Sequence, residues 1–161
     1  RTEGKRERRQ QLADLPVSTE PASHATRTLT PSPRPELVAC RDEVLAAIDD
    51  PAVHLIDTLP HEHFRGDWTF YPRPGHIPGA LNVSALSLFD EQGRFRPDHE
   101  LAALPAGVRS ARHITYCGGG IAASANAFVM TRLGFTNVAV YMASLEEWTA
   151  DPALPLLTGD A

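Results

Sequence analysis

Cysteine is scarce in this sequence: 161 residues contain two, Cys40 and Cys117. They lie far apart and neither belongs to a CxxC pair, so neither a disulfide framework nor a structural zinc site is indicated. Long apolar runs are missing as well. Nothing approaches the roughly 20 residues that a membrane-spanning helix needs, and no charged start is followed by the apolar stretch of a signal peptide. The expectation is a soluble domain without membrane contact, placed in the cytoplasm. The chain opens at Arg1 rather than a methionine, which leaves room for a leader or an upstream domain. An excess of positive charge is also lacking. Residues up to Glu36 hold 7 basic and 5 acidic side chains, and those from Leu37 onward hold 8 against 15, a balance of −7. That argues against a nucleic-acid-binding surface. The basic head RTEGKRERR is interrupted by two acids and reads as a solvated terminus.

What is present falls into two parts. Residues 1–36 are proline-rich, poor in large apolar groups and without a hydrophobic period, which predicts a tail or linker. Residues 37–161 are long enough for one core and alternate short apolar runs with helical periods, the pattern of an α/β domain whose mainly parallel sheet is covered by helices on both faces. Strands are expected at 37–40 (LVAC), 53–56 (VHLI), 80–83, 114–116 and 138–141 (VAVY). Helices are expected at 41–48, 98–104, 123–133 and 145–150, with a helical turn at 84–89. Within helix 123–133, Ala125, Phe128, Val129 and Leu133 share one face, and Gly134 follows as a C-terminal cap. Residues 59–79, rich in Pro, Gly, Arg and His, are expected to form a surface excursion too polar for core.

Cys117 occupies the position that decides the chemistry. It closes a strand, three glycines follow, and a helix resumes, so it lies where open α/β sheets place their ligands. In the loop Cys117, Gly118, Gly119, Gly120, Ile121, Ala122, successive amides can turn inward to cradle an anion, and the helix N-terminus adds its positive end. Such surroundings favour a thiolate. The blander alternative is a small buried cysteine followed by a tight turn. A cysteine-dependent phosphatase would need an arginine where Ala123 stands. A P-loop would need Gly-Lys-Ser/Thr. Gly118, Gly120 and Ala123 do satisfy a dinucleotide-type spacing, but the next strand runs into Met142 and Ala143, with no acid before Glu146.

The segments YCGGGIAAS, LGFTNVAVY and SLEEW, preceded by LID and GHIPGALNV, together resemble the rhodanese (thiosulfate/mercaptopyruvate sulfurtransferase) domain over residues 35–159. RPELVACRDEVLAAI and DPALPL are most similar to the second, catalytic domain of two-domain sulfurtransferases. The resemblance implies a parallel sheet flanked by helices and a Cys117 that takes sulfane sulfur from a small anionic donor as a persulfide. A thiol or cyanide acceptor would then remove it. It implies no cofactor, and an upstream rhodanese-like domain as a partner. The chain departs from the family at the loop. Thiosulfate-type enzymes carry basic side chains where Gly118 and Gly119 stand, and mercaptopyruvate-type loops carry a serine and a threonine at the places of Gly119 and Ala122. The family's donor-binding arginines correspond to Leu59 and His63.

Substrate contacts are therefore expected from the loop residues Gly118 to Ala122 and from basic groups of the excursion: His63 first, then Arg65 and Arg73. His61 and His63 alone are too few for a metal site. Asp57 and His76 are expected to serve structure near the site, Asp57 by bonding loop amides or holding the excursion and His76 by organising a turn. Trp68, Phe70 and Tyr71 either wall the pocket or pack the excursion down. Cys40 is expected to begin a helix and be inert. Two functions follow: a sulfurtransferase acting through Cys117, or a sulfur-carrier or regulatory module dependent on a partner domain. An anion-binding scaffold without catalysis is a third.

Overall fold

A computed structural model describes residues 18–21, 23, 25–104 and 107–160. The chain divides into two units, Arg1–Pro33 and Arg34–Ala161. In the first, every described residue is exposed and none lies in a helix or strand; prolines and small polar groups offer little apolar surface to bury. The basic head lies outside the described residues. The second unit begins at Arg34, slightly before the expected Leu37, and Arg112 Nη1 donates to the Glu36 carbonyl at 3.0 Å.

Five strands form one sheet in that second unit: β1 (Val38–Ala39), β2 (Val53–Asp57), β3 (Leu81–Asn82), β4 (Arg112–Tyr116) and β5 (Val138–Tyr141). Their order is β1-β5-β4-β2-β3 and every neighbouring pair is parallel. Parallel pairing demands crossovers. These carry α1 (Arg41–Ala47), α2 (His61–Phe64), α3 (Asp98–Leu101) and α4 (Ile121–Arg132), while α5 (Ser144–Ala150) follows β5. Pro35–Leu37 and Ala85–Leu88 make short 3-10 turns.

Burial on both faces explains why the strands are apolar without strict alternation. One face joins Leu55, Ile114, Tyr116, Ala139 and Tyr141 to Val44 of α1 and to Leu145 and Trp148 of α5. The other joins Ile56 and Val138 to Met130 of α4 and to Phe135. Leu55 and Ile56 thus serve opposite layers, and each fully buried side chain of this size contributes about 1.5–3 kcal/mol. Asp57 pairs in register with Tyr116, so β2 and β4 end level with each other. From there the chain leaves β2 toward β3 and leaves β4 toward β5 on the opposite side, which opens a crevice between the two strand ends.

Two expectations need correction. The excursion after β2 is not wholly superficial: it contains α2, and His63, Phe64, His76 and Ile77 are buried. Phe64 stacks on the His76 ring at 3.7 Å between centroids, which gives polar-looking residues an apolar contact that composition does not disclose. The inner face of α4 also differs. Its buried residues are Ala123, Asn126, Val129 and Met130, while Phe128 is half exposed. Asn126 turns inward because its side-chain amide donates to the Val83 carbonyl at 2.9 Å, a satisfied polar group in the core.

Arg73, expected to contact substrate, is engaged by the end of the fold. Its guanidinium donates to the carbonyls of Trp148, Thr149, Asp151 and Leu154 at 2.6–3.1 Å, covering the C-terminal end of α5. A cation there satisfies acceptors that the helix itself leaves open and meets the negative end of its dipole. Replacing Arg73 with Ala is expected to lower unfolding free energy by about 2–4 kcal/mol, measured by chemical denaturation, with a correspondingly lower Tm.

Candidate active site around Cys117

Cys117 follows β4 directly and is 3% exposed. The peptide group before it is fixed from both sides. The Tyr116 carbonyl accepts from the Thr58 amide at 2.9 Å and the Thr58 hydroxyl at 3.0 Å. The Cys117 amide donates to Ser144 Oγ at 3.1 Å, and Ser144 Oγ donates in turn to the Tyr141 carbonyl at 2.7 Å. Ser144 is the one described non-glycine residue with positive φ, at 53°. That conformation is costly, and it is kept where the surrounding bonds over-determine it. Beyond Cys117, its own carbonyl accepts from the Leu145 amide and the Gly118 carbonyl from the Glu146 amide, both at 3.0 Å, so α5 supports the loop from below.

The loop then supplies donors. The amides of Gly118, Gly119, Gly120, Ile121 and Ala122 donate to no acceptor among the described residues. They run into the N-terminus of the 12-residue helix α4, where peptide dipoles add positive potential. Gly120 has φ 83°, a conformation open to glycine at little cost. Gly118 is required for a different reason: a Cβ there would lie 1.6 Å from the Tyr71 hydroxyl. The space beside Gly118 is filled by a tyrosine from the excursion.

Asp57, at the end of β2, is fully buried. Its Oδ1 accepts from the Leu59 amide at 2.8 Å, so of its two expected roles it takes that of holding the start of the excursion, and Oδ2 has no partner among the described residues. Burial pushes its carboxyl up to about 7, against the lowering effect of the Leu59 amide and the Tyr116 phenol. His76 is equally buried, bonds the Phe64 carbonyl through Nδ1 at 2.8 Å and pairs its backbone with Leu157, a structural arrangement. Burial lowers its pKa.

The basic groups expected to meet a donor's charge are differently engaged. Arg73 is held by carbonyls as described. Arg65 donates to Asp160 at 2.6 Å and to Asp67 at 3.2 Å. His63 is 3% exposed, and burial lowers its pKa, which favours the neutral ring. It lies between Trp68 and Tyr71, with ring centroids 5.1 Å and 5.3 Å away, and neither ring nitrogen has a partner among the described residues. His61 is exposed and faces Asp160. Cys40 is an exposed N-cap of α1. Among the described residues no group of three His, Cys, Asp or Glu could hold a metal ion, and no helix is long and apolar enough to cross a membrane. A cavity of about 110 Å³ beside α4, lined by Val129, Met130, Arg109 and Phe135 among others, shares no residue with the loop.

Sequence reasoning did not single out Thr58, Ser144 or Glu146. A positive-φ serine leaves no periodic trace, and its partner is 27 residues away. Replacing Gly118 with Ala is expected to displace Tyr71 and cut Cys117 alkylation at least about tenfold without unfolding the domain. Adding Tyr71→Ala should restore most of the rate, measured with iodoacetamide. Asp57 yields a pH prediction. A raised carboxyl pKa stabilises the fold below the ordinary carboxylate range, and that contribution is lost as pH rises through about 7. Asp57→Asn should therefore flatten the decline, gaining about 2–4 kcal/mol over wild type between about pH 5 and pH 8 in urea titrations.

Comparison with known proteins agrees with this geometry. Residues 41–151 match the model of the rhodanese-like domain. The chain is 36% identical over 162 aligned positions to the "Putative thiosulfate sulfurtransferase 1" of Mycobacterium bovis, covering 92% of the chain and 58% of that protein. It is 33% identical to the thiosulfate/3-mercaptopyruvate sulfurtransferase 2 of Arabidopsis thaliana, covering 77% of the chain and 38% of that protein. The chain thus spans roughly 38–58% of these relatives' length. Among solved structures, EanB with ergothioneine covalently linked to a cysteine persulfide superposes with TM-score 0.80 at 23% identity, over 94% of this chain and 39% of that one. The Chlorobium limicola anaerobic ergothioneine biosynthesis enzyme gives TM-score 0.73 at 23% identity, over 80% and 33%. With the family model covering most of the folded unit and the parallel sheet, glycine loop and terminal cysteine in place, the chain belongs to the rhodanese-like domain family.

Proposed function

We propose that this domain is a sulfurtransferase that carries sulfane sulfur as a persulfide on Cys117. The observation that bears most weight is the row of unpartnered amides from Gly118 to Ala122, set directly after the cysteine and at the N-terminus of α4. With thiosulfate, the Cys117 thiolate attacks the outer sulfur, the sulfur–sulfur bond of the donor breaks, and sulfite leaves with the electron pair. With mercaptopyruvate, the carbon–sulfur bond breaks and the thiol proton ends on the carbon of the pyruvate released. Either route leaves Cys117 with an extra sulfur whose negative charge the loop amides hold. A thiolate or cyanide then attacks that outer sulfur and frees the Cys117 thiolate. Relatives named for thiosulfate and mercaptopyruvate transfer support this choice of donors.

A second reading is favoured by one observation. Arg65 and Arg73 are already occupied, and His63 favours the neutral form, so the donor's charge is met mainly by backbone. In a carrier or regulatory module, an upstream rhodanese-like domain or other partner would complete the donor site. Incubation with thiosulfate, and separately with mercaptopyruvate, should add one sulfur, about 32 Da, to wild type and nothing to Cys117→Ser, read by intact mass spectrometry. Turnover with cyanide then marks an enzyme, and loading without turnover marks a carrier. Equal gain in wild type and Cys117→Ser, or no gain in either, defeats the persulfide proposal.

A further inference from the structure

We infer that the sulfur acceptor is a thiol carrying a positive charge, drawn by a mouth built of aromatic rings and one carboxylate; this rests on the persulfide reading above. Glu146 supplies the carboxylate. Its Oε2 lies 3.5 Å from where a Gly119 Cβ would sit, and its own amide is bonded to the Gly118 carbonyl, so the acid is held beside the loop by backbone as well as by helix position. The side chain is exposed and has no ion-pair partner among the described residues.

The rings form a connected series that starts on the loop. The Tyr71 hydroxyl packs against Gly118, His63 lies 5.3 Å from the Tyr71 ring, Trp68 lies 5.1 Å from His63, and Phe70 stands edge-on to Trp68 at 4.7 Å. Its outer members are solvent-facing, Trp68 45% exposed and Phe70 82%. An aromatic series that reaches a loop flanked by a carboxylate suits a soft organic cation, attracted by the ring faces and by the charge. His63 adds polar atoms: it is buried, and neither ring nitrogen has a partner among the described residues.

Charge at the loop argues in the same direction. The Tyr71 phenol is pushed up first by burial and then by its electrostatic interaction with Cys117, Glu146 and Asp57. Arg65 and Arg73, the cations nearest in sequence, are committed to Asp160, Asp67 and four carbonyls. An anionic thiol approaching the persulfide meets the Glu146 carboxylate with no free arginine of the excursion to offset it. A thiol tethered to an ammonium group meets attraction instead. In the transfer its thiolate attacks the outer sulfur, a new sulfur–sulfur bond forms on the acceptor, the bond to Cys117 breaks, and Cys117 leaves as thiolate. The cation takes no part in the bond changes and serves to place the attacking sulfur.

The test uses wild-type protein loaded with sulfur and verified by mass. Discharge is followed with thiocholine, 2-mercaptoethanol and mercaptoacetate, with rates normalised to thiolate concentration. Thiocholine is expected to exceed mercaptoacetate by at least about tenfold in kcat/KM. Glu146→Gln and Trp68→Leu should each remove most of that ratio while leaving the 2-mercaptoethanol rate within about twofold. A mercaptoacetate rate equal to or above that of thiocholine, or a ratio unchanged in both variants, overturns the inference while leaving the persulfide intact. Should wild type take up no sulfur, the failure belongs to the persulfide reading. The cation site is then tested by titrating tetramethylammonium and acetate against tryptophan fluorescence. A saturable change with tetramethylammonium alone, lost in Trp68→Leu, supports the site, and its absence overturns it.

Discussion

The peptide group joining Tyr116 to Cys117 is the constraint on which the site rests. Its carbonyl is gripped by Thr58 and its amide by Ser144, so β2 and α5 clamp the same bond from opposite sides. Every other property of the loop is referred to that bond. The five free amides after Cys117 can converge on an anion only if the first residue of the loop has a fixed direction. The clamp is local hydrogen bonding, yet it works because the parallel register brings Asp57 level with Tyr116 and therefore puts Thr58 beside the strand end.

Positive side chains do mainly structural work in this domain. Arg73 closes α5, Arg65 ties α2 to Asp160, and Arg112 joins Glu43 and Asn137 at the other end of the sheet. In the proposed transfer, the donor's charge is thereby left mainly to backbone donors, which carry partial charges fixed in direction and need no reorganisation. The amides suit a small, charge-dense sulfur species, while the aromatic and acidic surround suits a larger partner of opposite sign. In the proposed two-step transfer, one site serves both halves because the amides lie at the loop and the aromatic series leads outward from it.

Much of this was legible in the sequence. VAVY at 138–141 forms the strand its β-branched run predicts, and Cys117 does end a strand before a helix, because both features are local and periodic. The buried excursion was less legible. His63 and His76 look like surface residues by composition and are covered because Phe64, Trp68 and Tyr71 fold over them. The inner face of α4 was misread at Asn126, whose burial depends on a carbonyl 43 positions away. Ser144 opens the SLEEW segment, but nothing in that segment discloses its positive φ or its bond to the Cys117 amide.

The fit of the Tyr71 hydroxyl against Gly118 means that the glycine loop and the aromatic segment before His76 form one inseparable unit. A cysteine loop transplanted from a relative with a larger residue after its cysteine would have nowhere to put it unless the tyrosine came away too. In this domain a larger residue after Cys117 therefore requires a matched change at Tyr71, and the loop motif taken without that distant partner is an incomplete description of what the cysteine meets.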